Sequence, residues 1–217
     1  MTVAVFGASG QTGRRVVARL REDGHDVLAV GRRASVAGEG IRTAIADLGH
    51  SNVDELAGIL QGVDAVVFAA AGDPIRIDRD GALHVIEASE RAGARRFVLI
   101  TGMGVGRSRP AEYHGGFWDI YFGAKAASED GLRSSTLSWT ILQPGELLNT
   151  PGRGAVELAP TGSLPIGAVS RDDVALTVAA VLADDRTSGR SWEIVQGHRP
   201  LGDAIERALG AAVDRRA

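Results

Sequence analysis

The run Val3-Ala4-Val5-Phe6 is uninterruptedly apolar and leads straight into GASGQTG, Gly7 to Gly13. Beyond it Val16, Val17 and Leu20 continue at helical spacing from Gly13. Strand, tight glycine turn and helix, in that order, is the context in which a glycine motif carries meaning. Gly7 lets the chain turn where a side chain would clash. Gly10 lets the backbone approach a pyrophosphate, and Gly13 lets the helix pack close to the strand. The helix N-terminus then offers unpaired N–H groups to phosphates. The motif implies a nicotinamide dinucleotide site, with a turn of purely structural use as the alternative.

The rest of the chain repeats the strand–helix alternation. Strands are expected at Thr2–Phe6, Asp26–Val30, Ile41–Ala46, Ala65–Ala69 and Arg96–Thr101, with helices at Thr12–Asp23, Val53–Leu60 and Arg79–Ala92. Gly24 and Gly93 read as C-terminal stops. Later come a helix at Tyr121–Arg133, a strand at Ser135–Leu142 broken by Pro144-Gly145, and a helix at Asp172–Leu182 capped by Ser170. A strand at Ser191–Val195 and a helix at Leu201–Leu209 close the pattern. The segment Leu147–Pro165 reads as loop with short elements. Near-continuous apolar strands imply helices on both sheet faces. Repeated βα units favour a Rossmann-type α/β fold with a doubly wound parallel sheet, since about seven strands fall short of a closed barrel. No linker or repeat divides residues 1–217, so one dinucleotide-binding domain is expected. A small substrate lobe is expected from about 145–170 and 189–217.

Composition excludes several classes. The formal charge of −3 advertises no basic surface, so no nucleic-acid partner is expected. The absence of cysteine rules out a disulfide scaffold and a thiol nucleophile and fits a cytoplasmic chain. No leader is read at the start. The apolar runs are too short to cross a bilayer, so no membrane partner is expected. The five histidines form no metal-type pair, so no metal is expected. The expected partner is a small-molecule substrate, and the expected state a monomer, with a homodimer as the alternative.

The second strand ends in Gly31-Arg32-Arg33, with no acid to hold a ribose 2′-OH. Two guanidinium groups stand where a 2′-phosphate would lie, which favours NADP(H) over NAD(H). Arg32 is the stronger candidate, with Arg33 stacking on adenine. After the third strand, Asp47 would accept from the adenine amino group, or cap a helix, and Leu48 would pack on the ring. Ala69, Ala70 and Ala71 after the fourth strand are small enough for a cofactor to cross closely. Tyr121 and Lys125 lie four apart on one helix and share a face. Such a pair could deliver the proton that accompanies hydride transfer, the lysine lowering the tyrosine pKa and gripping the nicotinamide ribose. Thr101 would bond the substrate oxygen or Tyr121. Met103, Phe117, Trp118, Leu147 and Leu148 are candidates for an apolar substrate pocket.

Taken together, GASGQTG, GRR at Gly31–Arg33, ADL at Ala46–Leu48 and the small run Ala69–Gly72 resemble the atypical short-chain dehydrogenase/reductases of the NAD(P)H-binding, NmrA-like and flavin-reductase-like group. RRFVLITGMG at Arg95–Gly104, YFGAK at Tyr121–Lys125, WTILQPG at Trp139–Gly145 and VSRDDVA at Val169–Ala175 extend the resemblance over nearly the whole chain. The resemblance implies pyrophosphate contacts from Gly7, Ser9, Gly10, Gln11, Thr12 and Gly13. It implies the 2′-phosphate at Arg32, adenine at Asp47 and Leu48, nicotinamide ribose near Lys125, and a nicotinamide pocket along Pro144, Gly145 and Leu147. Two departures stand out. Gly102 occupies the place of a serine common in the group, and Gln143 that of an arginine. The implied activity is an NADPH-dependent reductase of a small carbonyl, quinone or flavin-like acceptor. The alternative is a non-catalytic redox-sensing NADP(H)-binding protein.

Overall fold

The computed structural model describes residues 1–33, 38 and 41–211. Strand β1 (Thr2–Phe6) turns at Gly7 into helix α1 (Gln11–Glu22), followed by β2 (Asp26–Gly31), β3 (Ile41–Ile45), α2 (Val53–Ile59) and β4 (Ala65–Phe68). A π-helical turn, Pro74–Gly81, runs into α3 (Ala82–Ala92). Then come β5 (Arg96–Ile100), β6 (Met103–Gly106), α4 (Gly116–Arg133), β7 (Ser138–Pro144), β8 (Glu146–Leu148), β9 (Ala155–Pro160), β10 (Ala168–Ser170), α5 (Arg171–Ala183), β11 (Arg190–Pro200) and α6 (Leu201–Gly210).

Eight strands form one sheet in the order β3-β2-β1-β4-β5-β7-β11-β9, parallel throughout except where β9 runs antiparallel to β11. The strand side chains alternate between two cores. Val3 and Val5 join α1, α5 and α6 on one face, while Ala4 and Phe6 join α2, α3 and the Leu132 end of α4 on the other. This two-sided burial is why β1, β4 and β5 have no polar face. The architecture is the doubly wound Rossmann-type α/β sheet. Its strand order reverses between β1 and β4, which opens a crevice beyond their C-terminal ends.

The sheet has more strands than the sequence reading counts. Part of the expected substrate lobe belongs to it, because β9 pairs along β11 and β11 along β7. The short strands β8 and β10 pair separately, above the C-terminal end of β7. The third helical region also starts earlier than the apolar spacing indicates. Asp73 caps it, its carboxylate accepting from the N–H groups of Ile75 and Arg76, and Pro74 follows in the first turn.

Candidate active site

The glycine turn is shaped by contacts that no side chain could share. Gly7 sits at φ +78°, and a Cβ there would lie 2.6 Å from the Ala70 backbone. A Cβ on Gly13 would fall 2.1 Å from the Gly7 carbonyl oxygen. Gly10 has an ordinary φ of −71° and precedes α1, which starts with neither a side-chain cap nor an acidic residue in its first turn. Gln11 is exposed there and Thr12 half-buried. The helix therefore presents its N–H groups and its positive dipole end outward.

Gly7, Ser9, Gly10, Arg32, Asp47, Leu48 and Ala69–Ala71 line one groove of about 170 Å³. Arg32 approaches Asp47 closely enough to help hold that carboxyl below its ordinary range, behind the larger effects of the Gly49 N–H and His50. Asp47 caps the turn at Gly49 and no helix, since α2 is capped by the reciprocal Asn52–Glu55 pair. Arg33 is exposed and lies outside the groove lining among the described residues. The tight glycine loop, the open helix end and a guanidinium facing no acid of its own strand fit a phosphorylated dinucleotide.

A second cavity, of about 550 Å³, opens beyond β5 and β7. Thr101, Gly102, Met103, Trp118, Tyr121, Pro144, Gly145 and Leu147 all line it. Phe117 and Leu148 do not line it. Phe117 is 57% exposed and stacks on Tyr121 with ring centroids 5.9 Å apart. Trp118 meets Tyr121 edge-on at 5.9 Å. The lining also includes Arg109, Tyr113, Phe122, Glu146, Ile166 and Arg171, which the sequence reading missed. VSRDDVA held the signal for Arg171, since its arginine follows the helix-capping serine directly.

The expected proton-donor group is arranged differently from its reading in sequence. Tyr121 and Lys125 do share a helix face, with Nζ 5.8 Å from the tyrosine ring centre. Lys125, however, is buried and donates to Asp78 Oδ1 at 3.1 Å. The Tyr121 pKa accordingly stands above its ordinary value and not below it. Burial pushes the Tyr121 hydroxyl up to about 12, and the Asp78 carboxylate pushes the same way. Nor does Thr101 bond Tyr121. Its hydroxyl donates to the buried Glu129 Oε1 at 2.5 Å. Gln143 donates to both oxygens of Glu129, at 2.9 and 3.1 Å, and Arg133 donates to Oε2 at 2.7 Å. Asp78 and Glu129 carry no motif in the sequence. Only the facing of α4 against the π-helical turn and β7 brings them in.

A family model described as NAD(P)H-binding matches residues 7–185. A Bacillus subtilis protein described as an uncharacterized sugar epimerase, YhfK, is 32% identical over 95% of this chain and 100% of its own. The NAD(P)H azoreductase of Xenophilus azovorans is 26% identical over 98% of this chain and 74% of its own. Among solved structures, the oxidoreductase ylbE of Lactococcus lactis shares the fold with a TM-score of 0.87, at 21% identity and full coverage of both chains.

Proposed function

This chain belongs to the NAD(P)H-binding family, and we propose that it is an NADPH-dependent reductase that passes hydride to a small carbonyl, quinone or flavin-like acceptor. One observation carries the reading. The glycine groove lies beyond β1–β4 and the aromatic cavity beyond β5 and β7, and β4 and β5 are neighbours in one sheet. Binding and reaction thus occupy adjoining ends of the same crevice. Reduced nicotinamide, when bound, supplies the hydride.

The protein supplies placement and a proton. The turn Gly7–Gly13 and the first turn of α1 take the pyrophosphate, Arg32 the 2′-phosphate, and Leu48 the adenine. Tyr121 is the proton donor. At a pKa of about 12 it stays protonated at neutral pH. It is still a far stronger acid than a group resembling water, at ~15.7. Protonating a nascent alkoxide is therefore downhill. The reverse oxidation would use tyrosinate as base, which is scarce at neutral pH, so its rate should rise with pH.

Two measurements test the reading. Calorimetric titration should show tighter binding of NADPH than of NADH, and Arg32→Ala should erase most of the difference. Loss of NADPH absorbance should then appear with at least one acceptor from a panel of quinones, flavins, aldehydes and ketones. Equal or tighter NADH binding rejects the cofactor preference, and an inert panel rejects the reductase. Interconversion of epimers without net NADPH loss would identify an epimerase instead. A sensing role without turnover draws on one observation, the engagement of Lys125 by Asp78 in place of Tyr121.

A further inference from the structure

We infer that the acceptor cavity selects a conjugated acceptor carrying an oxyanion, a carboxylate or a phosphate, and that Arg171, assisted by Arg109, is the selecting group. The inference rests on the reading of this cavity as the acceptor site. Both arginines line it together with Trp118 and Tyr121. Arg171 is the first residue of α5, a position that the helix dipole disfavours for a cation. The acids that follow it look elsewhere. Asp172 takes Arg15 Nε at 2.6 Å and the Gly152 N–H, and Asp173 takes the N–H groups of Arg153 and Gly154.

The Arg171 guanidinium is held by neutral acceptors. Its Nη1 donates to the Leu147 carbonyl oxygen at 2.7 Å and to Asn149 Oδ1 at 3.0 Å. Among the described residues no carboxylate lies within ion-pair distance of it, although Glu146 lines the same cavity. Among the described residues its other donors have no protein partner, so they can form a charge-assisted fork with an oxyanion. Arg109 is partly satisfied, with Asp119 Oδ1 at 3.1 Å from Nη2 and its guanidinium 4.4 Å above the Phe122 ring. An oriented, half-buried cation without a counter-charge, in a cavity walled by aromatic rings, matches an acceptor that is flat at one end and anionic at the other.

The test uses two matched pairs, with the dinucleotide groove saturated by oxidised NADP and ionic strength at about 0.15 M to screen distant charge. Riboflavin and flavin mononucleotide share a ring system and differ at a phosphate. The azo dye methyl red and its methyl ester differ at a carboxylate. Binding is read from quenching of flavin fluorescence for the first pair and of protein tryptophan fluorescence for the second. In at least one pair the anionic member should bind about tenfold more tightly. Arg171→Gln, which keeps a donor for Leu147 and Asn149, should bring that pair within about twofold. Arg171→Lys should restore part of the preference, and Arg109→Gln should reduce it.

Equal affinity in both pairs, no binding of either pair, or a preference that survives both Arg→Gln substitutions overturns the inference. NADPH oxidation with no charge preference would leave the reductase standing and this inference fallen. A charge preference without NADPH oxidation would do the opposite.

Discussion

Lys125 Nζ lies 3.1 Å from Asp78 Oδ1, and both residues are sealed from solvent, at 3% and 1% exposure. The pair joins α4 to the π-helical turn, and Asp78 Oδ2 has no partner among the described residues. Burial raises the Asp78 carboxyl above its ordinary range, and Lys125 pulls it back. Such a pair contributes little net stability, but breaking it strands a charge. Asp78→Asn or Lys125→Met alone should each cost about 3–5 kcal/mol, and the double variant should cost much less than their sum. Urea denaturation of the four proteins gives the coupling. Additive losses would mean that the two groups do not depend on each other.

Tyr121 should behave as an acid whose ionisation lies outside the working range. Its hydroxyl is pushed up to about 12, so it is protonated at every pH below that. Carbonyl reduction should therefore show no basic limb due to Tyr121 between about pH 7 and pH 10, while alcohol oxidation should rise with pH as tyrosinate accumulates. Tyr121→Phe should slow carbonyl reduction by roughly 10²–10⁴-fold, with a smaller effect on a quinone or flavin. A reductive rate that falls with an apparent pKa near neutrality, and keeps that pKa in Tyr121→Phe, would assign the proton to another group.

What could be read from the sequence divides along physical lines. Local signals suffice for β1, Gly7–Gly13 and α1, because the apolar run, the turn glycines and the helical spacing each lie in one short stretch, although the Ala70 backbone that crowds Gly7 comes from far along the chain. The shared helix face of Tyr121 and Lys125 is legible, because a step of four residues is close to one helical turn. What Lys125 would touch was not legible. Asp78 comes from 47 residues away and meets it only through the packing of α4 on the π-helical turn. The same holds for Thr101, whose partner Glu129 is 28 residues distant. Strand β9 was missed because its alternating burial reads weakly between glycines and prolines. Only its antiparallel pairing with β11 reveals it.

Two glycines of the turn should fail in different ways when given a methyl group. In Gly13→Ala the new carbon would meet the Gly7 carbonyl oxygen at 2.1 Å, so the loop must move against α1. The expected loss is about 1–3 kcal/mol of stability, with dinucleotide affinity falling alongside. At Gly10 the nearest atom would be the Gly7 oxygen at 3.1 Å, and φ is compatible with alanine. Gly10→Ala should keep most of the stability yet weaken dinucleotide binding, because the methyl occupies the approach of the phosphates. Thermal unfolding and calorimetry on both variants check this. Normal affinity in a folded Gly10→Ala protein would move the pyrophosphate away from this turn.

Gly102 leaves room beside the Tyr121 hydroxyl, and filling it should alter the chemistry without disturbing the fold. A Cβ at this position would meet only the Tyr121 hydroxyl oxygen within 4 Å, at 3.6 Å, and the backbone needs no positive φ. A serine hydroxyl there can reach Tyr121 and donate to its oxygen. That bond stabilises tyrosinate, so Gly102→Ser should bring the tyrosine pKa down from about 12. Removing a glycine at a compatible conformation should leave stability unchanged or raised by about 0.4–1 kcal/mol. Carbonyl reduction should quicken by up to about tenfold, the scale of one well-placed hydrogen bond. Reduction of a quinone or flavin, which needs less acid assistance, should change little. Ultraviolet titration of the tyrosines and paired rates on an aldehyde and a quinone decide the matter. An unmoved titration with unmoved rates would show that the serine turns away from Tyr121, and a gain shared equally by both acceptors would place its effect on binding instead of proton delivery.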